Sequence, residues 1–303
     1  MEQKRPAGKR LHTIVRDGIE RVMNTVFFVC GMLAILAVVL ISGYMIVAGL
    51  PAIKEIGLTN FLFGTEWAST AKDPKYGILP FILTSVWGTL GAIVIGVPIG
   101  LLTAVFLSKV ASPRVASVVR PAVELLAGIP SVVYGLIGMM VLVPAMMDIF
   151  DLNNGTCLLA AILVLAIMIL PSIINVAETA LQAVPREYEE ASLALGATHI
   201  ETIFRISLPA ARSGVATAVV LGVGRAIGEA MAIIMVSGNV PNMPGSLFTP
   251  VRFLTTAIAS EMSYAAVGSL WQQALYSVGL VLFLFIMIIN VILNVCIKNR
   301  KEG

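Results

Sequence analysis

Apolar residues run along this 303-residue chain in six long windows, about Val26 to Ala48, Leu79 to Leu107, Leu125 to Met147, Cys157 to Ala177, Gly214 to Gly238 and Leu270 to Ile297. No charge falls between Arg21 and Lys54, between Lys75 and Lys109, or between Glu261 and Lys298. Such stretches exceed the roughly 20 residues that a helix needs to cross a bilayer. Hydrocarbon offers backbone amides no water, so each run must close its own hydrogen bonds as a helix or join a sealed barrel. The windows are too long for barrel strands and lack their strict alternation. The pattern predicts an all-α membrane protein with six transmembrane helices. Residues 1–25 form an N-terminal arm, 26–297 the six-span domain and 298–303 a short tail.

Composition agrees. The chain is 58% hydrophobic and only 12% charged, against about a quarter charged in soluble domains, which excludes a soluble globular enzyme. Basic residues set the orientation. One side holds Lys4, Arg5, Lys9, Arg10, Arg16, Arg21, then Lys109, Arg114, Arg120, Arg186, Arg205 and Arg212, and finally Lys298, Arg300 and Lys301. The other holds Lys54, Lys72, Lys75 and Arg252. Both termini are thereby predicted cytoplasmic in a multi-pass plasma (inner) membrane protein. Because the net charge of +3 lies beside membrane segments, it implies lipid contact and no nucleic acid. Leu11, Ile14, Val15, Ile19 and Val22 share one helical face, opposite Arg10, Arg16 and Arg21, as in a helix lying at the interface. The first apolar run is too long for a signal-peptide core. Cys30, Cys157 and Cys296 have neither disulfide nor metal-ligand spacing and read as small core residues.

Between spans four and five, residues 178–213 are too patterned for a linker. Pro185 followed by Glu187, Glu189 and Glu190 is a helix start, since acidic side chains favour the positive end of the helix dipole. Gly196 stops that helix, and Thr198 with Glu201 three residues on forms a capping box for a second. Leu208-Pro209 closes the segment. His199 reads as an exposed polar residue. Periodicity alone leaves a surface hairpin and a docking knob equally open.

The fifth window is the only one with internal charges, Arg225 and Glu229. Arg225 lies about 16 Å along a helix at 1.5 Å per residue, near mid-bilayer, where a charge costs about 2.5 to 3.5 kcal/mol. Glu229, four residues on, is predicted on the same helical face and within reach of the guanidinium. One reading is a self-neutralising pair. The other is a planar cationic fork for an oxyanion, facing a water-filled passage and balanced by Glu229 when empty. Gly224 and Gly228 add a small-xxx-small spacing that would let another helix approach. In the third window Gly128 and Pro130, with Ser131 beside them, interrupt the helix, either as a break lining a passage or as a packing kink. Trp67 and Tyr76 read as interfacial anchors, and Pro98 and Pro171 as kinks.

Two resemblances sharpen this. Glu190-Ala191-Ser192, Gly196 and Ile206-x-Leu208-Pro209 resemble the EAA loop of integral membrane subunits of ATP-binding-cassette importers, with Ser192 in place of the second Ala. The resemblance implies that this loop is the coupling element seated in the ATPase subunit, within a type I ABC importer permease fold. Leu221-Gly-Val-Gly-Arg-Ala-Ile-Gly-Glu-Ala-Met-Ala232, Ala127-Gly-Ile-Pro-Ser-Val-Val-Tyr-Gly135, Phe63-Gly-Thr-Glu-Trp67 and Tyr76-Gly-Ile-Leu-Pro80 resemble signatures of bacterial and archaeal phosphate importer permeases. The likeness fits the PstC-like subunit better than the related PstA-like one. It implies that Arg225 and Glu229 lie on the substrate pathway, and that Gly128, Pro130 and Ser131 form a helix break or gate. The implied partners are a PstA-like second permease subunit, a PstB-like ATPase dimer and a PstS-like extracytoplasmic phosphate-binding protein.

The chain contains no Gly-x-x-x-x-Gly-Lys-Ser/Thr loop, so no cofactor is expected on it; ATP and Mg would be used by the partner ATPase. The expected function is half of the translocation pathway of an ATP-driven phosphate importer. A permease for sulfate or molybdate and an ion-coupled secondary anion transporter remain the alternatives.

Overall fold

A computed structural model describes residues 7–299, with side chains from residue 20 onward except at 293, 294 and 296–299. The interfacial face predicted from residue 10 lies mostly outside the described side chains, as does Cys296. The chain divides into two compact units, Met1–Ala48 and Gly49–Gly303.

Helix α1, Ala7–Ile56, runs from the first unit into the second. In the first unit Phe27, Phe28, Val39 and Val47 are exposed, as apolar groups are on a helix solvated by lipid. In the second unit α1 is followed by α2 (Leu58–Phe63) and a two-stranded antiparallel hairpin, β1 (Trp67–Ala68) with β2 (Lys75–Tyr76), in the register Trp67 to Tyr76. Then come α3 (Leu79–Val105), prolonged by a π-helical turn over Phe106–Val110, and α4 (Pro113–Gly128). Next are α5 (Ser131–Ile137), a π turn over Gly138–Leu142, α6 (Val143–Phe150) and α7 (Leu158–Gln182). The knob consists of α8 (Arg186–Ala194), α9 (His199–Thr202), a π turn over Ile203–Ser207 and α10 (Leu208–Ala210). The chain closes with α11 (Arg212–Gly228), α12 (Met231–Val236), α13 (Leu254–Glu261) and α14 (Leu270–Asn299).

Among the described residues, five stretches are long and apolar enough to span a membrane: Glu20–Ile56, Leu79–Val110, Ser131–Phe150, Leu158–Gln182 and Leu270–Ile292. The fifth predicted span is not one straight helix. His199–Ala210 and Arg212–Gly228 meet at 73°, and the helix stops at Gly228, ten residues short of the predicted end at Gly238. Pro98 and Pro171 sit inside α3 and α7 without ending them.

The core is centred on α7, which packs chiefly between α3 and α11. Close approach requires residues without side chains. A Cβ at Gly91 would stand 2.6 Å from Ile162, one at Gly96 2.7 Å from Ile169, and one at Gly100 or Gly222 within 2.9 Å of Ile173. The isoleucines of α7 thus enter slots made by glycines of both neighbours. Gly224 and Gly228 do not take part: a Cβ at either would meet nothing within 4 Å. The amides of Cys157, Leu158 and Leu159 at the start of α7 donate to the carbonyls of Val236, Thr249 and Leu247. The segment after α12 thereby folds over this helix end and satisfies donors that would otherwise be orphaned.

Candidate functional site: two broken helices and a helical knob

Arg225 occupies the last turn of α11 and is half-buried. Its Nη1 donates to Ser172 Oγ on α7 at 3.1 Å. The predicted pairing with Glu229 is not formed, and no ion pair among the described residues includes Arg225. The expectation rested on a continuous helix, whereas Glu229 follows the helix end in an extended conformation (φ −75°, ψ 129°). The physical reason lies in the break itself. The first amides of α12 lack intrahelical acceptors, and a carboxylate is favoured at that positive helix end. Glu229 Oε1 accepts the Ala232 amide at 3.0 Å, and the Glu229 carbonyl accepts the Thr255 hydroxyl of α13 at 2.7 Å. Glu229 is thereby turned toward α12 and α13, and the guanidinium is left facing the Ser172 hydroxyl.

The third span breaks where the sequence predicts. Helix α4 ends at Gly128, Ile129 and Pro130 are extended, and Ser131 opens α5. Because Pro130 has no N–H, the Leu126 carbonyl loses its regular helical donor. The Tyr134 hydroxyl replaces it at 2.7 Å, and the same ring lies within electrostatic reach of Arg225. Beyond the break Gly135 lies so near α12 that a Cβ there would stand 2.8 Å from Ala232 Cα, and Gly138 is comparably close to Val236. The far halves of the two broken spans, α5 and α12, are therefore packed on one another. Gly128 and Pro130 are exposed and Ser131 half-buried.

The knob follows its sequence signals closely. Pro185 caps α8, and Gly196 ends it with φ +89°, a conformation that other residues resist. Thr198 and Glu201 form the reciprocal capping box, which holds the Glu201 carboxyl below its usual pKa. Leu195, Ile200 and Phe204 are exposed on its surface, with Glu190 and Ala191. Ser192 bonds Thr202 Oγ1 at 2.9 Å, tying α8 to α9. Ile206 and Leu208 are half-buried and Pro209 exposed. Glu189, one of the acids of the predicted helix start, pairs with Lys109 and accepts the Ser207 hydroxyl at 2.8 Å. The His199 ring Nε2 lies 3.1 Å from the Lys109 carbonyl. A second link ties Arg120 Nε of α4 to buried Glu178 of α7 at 2.7 Å.

At the opposite end of α3 the structure corrects another reading. Trp67 and Tyr76 are not interfacial anchors but buried core residues, stacked edge-on at 5.4 Å. The buried Trp67 indole also has a polar partner. Glu261 gathers the indole N–H groups of Trp67 and Trp271, the Ser69 hydroxyl and an ion pair from Arg252. The Arg252 guanidinium also donates to the Asn239 carbonyl at 2.7 and 2.9 Å. Nothing local in the sequence signals this cluster, because its bonded partners lie up to 194 positions apart.

Known proteins with the same arrangement supply the family. A solved bacterial alginate ABC transporter, in complex with alginate pentasaccharide-bound periplasmic protein, contains a chain of the same fold with a TM-score of 0.61 at 18% identity, covering 93% of this chain and 95% of that one. The probable ABC transporter permease protein YqgH of Bacillus subtilis is 42% identical over 267 residues, 86% of each chain. The phosphate transport system permease protein PstC of Xylella fastidiosa is 33% identical over 323 aligned positions, 100% of this chain and 97% of that one. Residues 96–300 match the family described as binding-protein-dependent transport system inner membrane component. That match takes in the knob and both halves of the broken fifth span, and the chain belongs to this family of importer permeases.

Proposed function

We propose that this chain is the PstC-like permease subunit of an ATP-driven importer for inorganic phosphate and forms half of its passage. The observation that carries the reading is Arg225: a permanent charge at the broken end of a membrane helix, held by a neutral serine with its carboxylate neighbour turned away. A guanidinium offers a planar set of donors that matches phosphate oxygens. The cost of placing it in a membrane is offset when an anion or water reaches it. The full-length similarity to PstC supports phosphate as that anion.

In this reading the breaks at Gly128 to Ser131 and at Glu229 act as the gate. The far halves α5 and α12 move as a packed pair relative to α7, which holds Arg225. A PstA-like subunit completes the passage, and a PstS-like protein delivers phosphate on the side of Trp67 and Glu261. PstB-like ATPase subunits bind ATP and magnesium and seat the knob, with Leu195, Ile200 and Phe204 as apolar contacts and Glu190 as a polar one. The chain itself hydrolyses nothing, and both of its termini face the ATPase.

The test is uptake into liposomes holding this chain with its three partner proteins, using labelled phosphate or sulfate with and without ATP. Phosphate uptake that requires ATP is expected. Uptake indifferent to ATP, or preference for sulfate, would overturn the proposal.

A further inference from the structure

Three parts of the knob converge on one residue outside it. Lys109 lies in the π-helical turn that ends α3. Its ammonium pairs with Glu189 of α8, the two side chains being only 11% and 20% exposed. The same carboxylate oxygen accepts the hydroxyl of Ser207, which is fully buried in the π turn before α10. His199, at the start of α9, meets the Lys109 carbonyl, one of the acceptors that a helix end leaves open. An exposed surface ion pair contributes little. This one is largely shielded from water and braced from both sides.

The helix so gripped spans the whole core. Along its length α3 packs on α7, and at its other end Ser85 accepts the Leu254 amide at the start of α13. At the next residue of α13, the Thr255 hydroxyl holds the Glu229 carbonyl. A rigid element thus joins the knob to the segment that fixes the fifth-span break.

We propose that Lys109 is a positioning residue for energy coupling: it fastens the knob to α3, so that movement of the seated knob is delivered to this helix. The inference rests on the knob being the ATPase seat, as proposed above. Loss of the clamp leaves the seat in place and lets it move without carrying α3.

Lys109→Met in the reconstituted four-protein importer tests this. ATPase co-purification and ATP hydrolysis are expected to persist, while phosphate taken up per ATP hydrolysed falls roughly twofold to thirtyfold, the span of network coupling energies. Lys109→Arg should retain coupling. Glu189→Gln, which keeps the acceptor for Ser207, should lose it like Lys109→Met and serves if the lysine variant does not assemble. An unchanged ratio in both charge-removing variants would overturn the clamp. So would equal loss of ATPase binding, which makes the contact part of the seat. Leu195→Asp with Ile200→Asp is the separate control: ATPase binding that survives it would overturn the seat reading itself.

Discussion

The Tyr134 hydroxyl donates to the Leu126 carbonyl across the Pro130 break. It supplies the hydrogen bond that proline removes, so the break is fastened as well as opened. Tyr134→Phe removes the shorter of this carbonyl's two hydrogen bonds, the Ile129 amide at 3.3 Å being the other donor, and is expected to cost about 0.5–1.5 kcal/mol. A lower melting temperature in detergent, with reduced phosphate uptake at normal ATPase binding, is the outcome to look for. Unchanged melting would show that the Ile129 amide alone suffices for the carbonyl.

For Arg225 the expectation is selective. Arg225→Gln should abolish phosphate uptake while the subunit still assembles, and Arg225→Lys should restore only part of it, because an ammonium lacks the planar fork. Ser172→Ala removes an orienting acceptor and should weaken uptake less than Arg225→Gln does. Uptake kinetics at several phosphate concentrations separate these cases.

Glu229 separates charge from geometry. A glutamine can still accept the Ala232 amide, so Glu229→Gln should retain the helix break and much of the fold. Glu229→Ala removes the cap at a cost of about 1 kcal/mol. If Glu229 served chiefly to neutralise Arg225, both substitutions would impair uptake equally, which uptake assays on the two variants would reveal.

The knob clamp should depend on pH in one direction. Burial pushes the Glu189 carboxyl up, but hydrogen bonds from Lys109 and Ser207 and the Lys109 charge outweigh it and hold the group below the usual glutamate range. A depressed carboxylate contributes stability that is present above its unfolded value and is lost as pH falls through the folded one. Coupling should therefore be constant from neutral pH down to about pH 5 and decline only below. Glu189→Gln should remove that acid limb from the ratio of uptake to hydrolysis.

Glu261→Ala would leave the buried Arg252 charge without its carboxylate, which typically costs about 3–5 kcal/mol. Poor assembly or a large fall in melting temperature is expected. Glu261→Gln, which keeps acceptors for the two indoles, should be milder.

Local signals in the chain were read faithfully by the structure. The Thr198 and Glu201 capping box, the positive φ at Gly196 and the Pro130 break each depend on residues within a few positions, and all form where the spacing predicts. Arg225 and Glu229 show where such reading stops. Four residues apart means one face only while the helix continues, and what ends it involves amides of α12 and a hydroxyl of α13, brought in by tertiary contact. Trp67 fails for the same reason. Aromatic residues beside a span ordinarily mark the interface, but this one is buried, its indole partnered by a carboxylate 194 positions away. Lys109 looked like one more orientation charge, because its partner Glu189 sits 80 residues on.

The Glu261 cluster also gives the molecule its own optical reporter. Of three tryptophans in the chain, Trp67 and Trp271 place their indole N–H groups on the same carboxylate, while Trp87 stands exposed on α3. Indole emission follows the local field, so these two rings sense any displacement of Glu261 together. With Trp87 replaced by phenylalanine, unlabelled protein would signal, in real time, each rearrangement at the end of the permease farthest from the knob.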